Sequence, residues 1–325
     1  MQLSRHWRDV HEAARGALAV GDGDGCRDWA MRMMRRARQA GDIEAQAHAA
    51  LLLARSQWVS AMPAGAMYWS GSAERLARRA GDSATAASAL SVQSCAASAL
   101  GRPDVAMACA RNSLRENGVP VRDEAVAVHY LAAAYFWGGR FGEARTTFAL
   151  SLDMAAECPD RVLSFQPLVN RCLSALLELG AGGLWRHRLC SEPLEAVLER
   201  LHLDLEACDR LLGQGQISTV NLGMERMVEL CFHCLRGQLM LLHRQLEAAD
   251  GCLQKCRDLS QAFPRRHWVR LFVHWLEFEY AHRQGDSRCA MVSAQAMELA
   301  AARGGHEAFR VFAQRLRADG TASIT

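Results

Sequence analysis

The chain has 325 residues, half of them apolar, 22% charged and 7% aromatic, and its 38 basic and 35 acidic groups leave a formal charge of +3. That composition excludes a disordered, collagen-like or rod-like coiled-coil chain, and so even a charge balance gives no field of the kind that gathers nucleic acid or an anionic membrane. Lys255 is the single lysine among the 38 cations, an arginine bias expected of a GC-rich, bacterial genome.

The N-terminal segment, Met1 to Val10, reads MQLSRHWRDV and lacks the apolar stretch of a signal peptide. The most apolar run, Ala49 to Ala54, is far short of the roughly 20 residues a membrane helix requires. Twelve cysteines spread through the chain are expected to be reduced thiols rather than a disulfide framework. The expectation is a soluble, cytoplasmic protein.

Strand signals are scarce, and the strong helix formers alanine, leucine, arginine and glutamate fill long windows. Gly-Asp pairs punctuate these windows at Gly21-Asp22, Gly41-Asp42, Gly81-Asp82 and Gly285-Asp286. A glycine ends a helix by taking positive φ, and the aspartate after it caps the next helix. Cutting at such signals predicts about fifteen helices of roughly 15 to 25 residues joined by short turns. The predicted class is all-α, an array of antiparallel helix hairpins.

The clearest repeating unit, residues 125–158, contains Tyr130-Leu-Ala-Ala-Ala-Tyr-Phe-Trp-Gly-Gly-Arg-Phe-Gly-Glu-Ala-Arg-Thr-Thr-Phe148. This unit resembles the tetratricopeptide repeat (TPR). Leu131, Ala132 and Tyr135 match the first helix of that pattern, Gly139 its turn, and Ala144 and Phe148 its second helix. The second-helix alanine recurs at Ala30, Ala106, Ala144, Ala248 and Ala290, with Ser70 in the equivalent place. Neighbouring intervals of 36 to 42 residues exceed the roughly 34 of the consensus and imply lengthened helices. The resemblance implies a right-handed superhelical solenoid of about seven hairpins and a C-terminal capping helix, spanning 1–318 with a polar tail at 319–325.

One segment breaks the rhythm. The insertion 180–193, between helices expected near Phe165–Leu179 and Leu194–Leu212, carries Trp185 among Arg186, His187 and Arg188. It reads as a loop closing against the array, with a lid or docking loop as the alternative.

Catalytic motifs are missing: there is no phosphate-binding GxxxxGK[ST], GxSxG or HExxH, so no enzyme and no cofactor is expected. The run Gly21-Asp-Gly-Asp-Gly25 lacks the third glycine and preceding strand of a dinucleotide loop and reads as an inter-helix turn. Glu277 and Glu279, two apart, do not share a helix face. Cys231, Cys234, Cys252 and Cys256 lie on two helices hinged near Arg244, and folding about that hinge brings Cys234 near Cys256. They are the candidate zinc or redox set, with hairpin packing as the simpler reading.

In TPR proteins one face of each first helix lines a concave groove. Carrying that face over implies Phe272, Trp275, Glu279, His282 and Arg283 in the segment His267–His282 and just beyond it. It implies Val126, His129, Ala133, Phe136 and Trp137 in the 125–158 unit, and His233 or Cys234 in the 230–262 unit. Aromatic anchors beside His, Glu and Arg suit a peptide groove; the same aromatics also suit a core. His267, His274 and His282 form one stripe, read as interhelical packing with a proton or metal sensor as the alternative. The basic clusters are Arg32, Arg35, Arg36 and Arg38 beside Met31, Met33 and Met34, which read as a solvated face next to a methionine-packed one, and Arg265 with Arg266. Neither is one-sided enough for a phosphate-binding patch.

The expected function is a protein- or peptide-binding TPR-like module serving as a regulatory adaptor in bacterial signalling, with no nucleic-acid or membrane partner. A carboxylate clamp of lysine and asparagine is absent from the groove positions. The cadence of arginine-rich helices closed by Ala-Gly-Asp also resembles the sensory repeat region that precedes a diguanylate cyclase domain in some bacterial signalling proteins. That leaves a ligand-sensing region of a signalling enzyme or a transcription regulator, with its output domain outside this chain, as the alternative. A zinc- or redox-responsive repeat protein is the third reading.

Overall fold

The computed structural model describes residues 5–157, 164–181, 194–214, 225–263 and 267–322. Within them lie fifteen α-helices and no strand: α1 (Arg5–Ala19), α2 (Gly23–Gln39), α3 (Ile43–Val59), α4 (Pro63–Ala80), α5 (Ser83–Ala99), α6 (Pro103–Ser113), α7 (Val121–Trp137), α8 (Phe141–Ala156), α9 (Phe165–Ala181), α10 (Leu194–Gly213), α11 (Glu225–Leu242), α12 (Leu246–Ser260), α13 (His267–Arg283), α14 (Ser287–Gly304) and α15 (Glu307–Ala322). The last helix runs on into the segment read as a polar tail. The Trp185 loop, with Arg186, His187 and Arg188, lies outside the described residues, as do Arg265 and Arg266. Among the described residues no helix is long and apolar enough to cross a membrane.

All four Gly-Asp pairs act as their chemistry predicts. Gly21, Gly41, Gly81 and Gly285 have φ between 67° and 78°. The following aspartates accept from the backbone N–H three residues on, at Gly25, Ala45, Thr85 and Cys289, over 2.8–3.0 Å. The glycines of the first turn also serve close packing. A Cβ on Gly25 would lie 2.1 Å from the Asp22 capping carboxylate, and one on Gly23 2.4 Å from Ser60 Oγ. Two turns reach the left-handed region without glycine, at Ala61 (φ 60°) and at the predicted hinge residue Arg244 (φ 58°).

The chain forms two compact units. The first comprises Met1–Ala134, Leu150–Leu163 and Thr219–Met224; the second comprises Tyr135–Ala149, Ser164–Ser218 and Glu225–Thr325. In the first, each helix from α1 to α6 packs on the next, and α1 also touches α3 and α3 touches α5. The odd-numbered helices therefore form a row of their own. Its middle member, α3, is buried on several sides from Ala45 to Trp58. Met33 and Met34 point into the core while Arg32, Arg35, Arg36 and Arg38 are exposed, as the alternation in α2 suggests.

In the second unit α9 touches α11 and α11 touches α13, again a row, with α10, α12 and α14 packed on their partners. Small residues mark the helix-pair contacts through both units: Ala30, Ser70, Ala106, Ala144 and Ala290 are each 0% exposed. At one repeat the register differs from the sequence reading by one residue. Ala248 is exposed and Ala249 takes the buried place. The chain turns at Arg244 rather than at a glycine, and the first turn of α12 is set accordingly.

Candidate functional site

The residues expected in the groove of the second unit are mostly drawn into packing. Phe136, Phe272, Trp275 and Glu279 are buried, Trp137, His233 and His282 half-buried, and Arg283 exposed. Phe136 and Trp137, at the end of α7, join Phe141, Trp268, Phe272 and Phe309 in one ring cluster with centroids 5.2–6.2 Å apart. The start of α15 supplies Phe309 and leans on the α7–α8 turn, where a Cβ on Gly139 would meet Ala308 Cβ at 2.8 Å. Farther along α13, Trp275 meets Phe312 at 5.8 Å and His282 stacks on Phe278. Burial pushes the Glu279 carboxyl up to about 7, partly opposed by Arg283 and the Trp275 indole. Glu277 faces elsewhere, as its spacing predicts, and binds Arg257 and His274.

His233 sits 3.7 Å from Glu229 on its own helix, and burial lowers its pKa. In the first unit, His129 is 1% exposed, and burial lowers its pKa to about 3. The four hairpin cysteines are buried neighbours, with burial the main cause that raises each thiol pKa. Two of these thiols point at backbone: Cys234 donates to the Phe272 carbonyl at 3.0 Å and Cys256 to that of Leu230 at 3.6 Å.

A second group of polar side chains lies on the α1–α3–α5 row of the first unit, and the sequence reading passed over it. On α3, Glu44, His48, Leu51 and Arg55 follow one another at the i, i+4, i+7, i+11 spacing of a single helix face. From α1, the His11 ring meets the His48 ring edge-on at 5.6 Å. From the N-terminus of α5, Asp82 brings Oδ2 to 3.4 Å from His48 Nε2 while its Oδ1 caps the helix. Among the described residues Glu44, His48 and Asp82 are the only three His, Cys, Asp or Glu side chains whose ligand atoms all lie within 4.8 Å of one another.

Arg55 lies at the other end of the stripe. It is half-buried, and among the described residues no hydrogen bond or ion pair reaches its guanidinium. Burial lowers its pKa; Tyr130 and Asp123 of α7 work the other way, while Arg15 and Arg122 add to the lowering. An arginine nonetheless stays charged at neutral pH. Burial, His48, Arg15 and Arg55 together bring His11 down to about 4, so this histidine is neutral at pH 7. The row thus carries an acidic, histidine-bearing end and a cationic end. A polar stripe on an otherwise buried helix was the available signal: Glu44, His48 and Arg55 interrupt the apolar run of α3 at regular spacing.

Compared with known proteins, the chain matches no protein-family model and no curated protein.

Proposed function

We propose that the chain is a protein- or peptide-binding module of the TPR-like type, a right-handed superhelical array of hairpins whose inner face holds the ligand. The left-handed turn residues, the fully buried small residues at the helix pairs and the contacts between alternate helices support that architecture. On this reading the binding face is the α1–α3–α5 row of the first unit, and the ligand is a peptide segment with acidic side chains.

One observation carries the choice of ligand. Arg55 holds a charge in a half-buried position with no counter-ion bonded to it among the described residues. A cation withdrawn from water is costly unless an anion pairs with it, and an arginine fork suits a carboxylate in two parallel hydrogen bonds. Arg15 and Arg122 add to the positive potential there. An adaptor role in bacterial signalling is the biological setting this reading implies.

The test is binding of fluorescent Glu/Asp-rich peptides to the wild-type chain and to Arg55→Met, followed by anisotropy at two salt concentrations. The wild type is expected to bind with an affinity that falls as salt rises. The variant is expected to lose that binding while keeping or raising its melting temperature, because it removes a half-buried charge that has no bonded counter-ion among the described residues. Equal binding by a folded variant would reject the site.

A further inference from the structure

We propose that Glu44, His48 and Asp82 form a binding site for a first-row divalent metal cation. Their ligand atoms, two carboxylate oxygens and one imidazole nitrogen, already converge within 4.8 Å. Metal–ligand bonds of about 2.0–2.2 Å would draw them together by only about an ångström of side-chain movement. Mixed carboxylate and imidazole donors with open positions for water suit Mn²⁺, Fe²⁺ or Zn²⁺ rather than a soft, thiol-seeking ion.

Two features separate this cluster from an ordinary ion pair. The first is Glu44 Oε1, which is buried and has no hydrogen-bond partner among the described residues. Leaving a carboxylate oxygen shielded from water and unbonded costs free energy that a cation at this point would offset. The second is the division of labour at Asp82. Its Oδ1 is held by the Thr85 N–H, which fixes the carboxylate and aims Oδ2 at His48. Glu44 and His48, one turn apart on α3, are likewise held on a buried helix, so the set is oriented before any ion arrives.

The surrounding charges are mixed. Asp42 adds negative potential and Arg55 opposes it, while the His11 ring lies edge-on to His48. The inference stands apart from the peptide reading, because the ion needs only these three side chains.

The experiment titrates the chelator-treated full chain with MnCl₂ in millimolar Mg²⁺, reading free Mn²⁺ by its electron paramagnetic resonance sextet. Mn²⁺ is the probe because it is indifferent to the many cysteines. The wild type is expected to retain a single equivalent against Mg²⁺, which an imidazole ligand disfavours. Glu44→Gln removes no hydrogen bond seen here and keeps the shape. Asp82→Asn keeps an oxygen for the cap, and His48→Asn removes the nitrogen ligand. Each is expected to weaken Mn²⁺ binding about ten-fold or more with unchanged helical signal. Displacement of Mn²⁺ by Mg²⁺, no binding, or equal affinity in folded Glu44→Gln and His48→Asn variants would overturn the site.

Discussion

The imidazole of His306 lies 4.6 Å from the indole of Trp137, tilted by 34°, and neither of its ring nitrogens has a hydrogen-bond partner among the described residues. The end of α14 also lies against the ring, where a Cβ on Gly304 would come within 2.6 Å of Cδ2. The ring is 1% exposed, and burial followed by the nearby His267 lowers its pKa to about 4. A polar ring is thus used as a flat apolar spacer.

The first prediction concerns acid stability. His306, His11 and His129 have folded-state pKa values of about 4, 4 and 3, below the ordinary 6.5. On acidification the unfolded chain takes up these protons first, so stability is fully present above pH 6.5 and is lost as pH falls through about 4. His306 alone contributes about 3 kcal/mol to that loss. Glu279, raised to about 7, acts with the opposite sign and weakens the fold as pH climbs above its ordinary range toward neutrality. Urea midpoints are therefore expected to rise from pH 4 to about pH 7 and to level off above it, where destabilisation by Glu279 offsets the last of the histidine gain. His306→Phe is expected to raise the unfolding free energy at pH 7 by about 1 kcal/mol and to flatten the acid arm.

The second concerns a carboxylate shared between two helices. Asp42 Oδ1 caps α3 through the Ala45 N–H at 2.9 Å, and its Oδ2 accepts from the Trp7 indole of α1 at 2.7 Å. Asp42→Ala removes both bonds and is expected to cost about 2 kcal/mol. In a double-mutant cycle with Trp7→Phe, the two changes are expected to be less than additive by roughly 1 kcal/mol. Full additivity in chemical denaturation would show that the indole bond contributes nothing.

The third sets two turns against each other. Gly139 has φ 74° and faces Ala308 at a distance that leaves no room for a methyl. Gly139→Ala is expected to lower stability by about 2 kcal/mol, from backbone strain and a displaced α15. Arg244 is exposed and has φ 58°. Arg244→Gly relieves the left-handed strain at some cost in unfolded-chain entropy, a net gain of about 0.5 kcal/mol. Differential scanning calorimetry should move the two melting temperatures in opposite directions.

Much of the helix inventory was legible because its signals are local. A Gly-Asp pair encodes a positive φ and an N-cap within a few residues, so those four turns could be placed without knowing any partner helix. The candidate site was harder to read. The aromatic pattern of α13 is compatible with either a groove or a core, and periodicity cannot tell which face another helix will cover. The Glu44–His48 pair was hidden for the converse reason: its third member, Asp82, belongs to another helix and already had a local role as a cap.

The sequence by itself determined an all-helical chain, where most of its helices turn into the next, and most of the small residues that are buried where neighbouring helices pack. These follow from backbone conformational preference and from contacts one turn away. Only the tertiary structure decided that Phe309 of the last helix, and His306 just before it, pack on Phe136, Trp137 and Phe272. It also decided that Arg55 keeps its charge without a bonded counter-ion among the described residues. Burial depends on which distant segment covers a face, and that pairing is set by long-range packing that no local window contains.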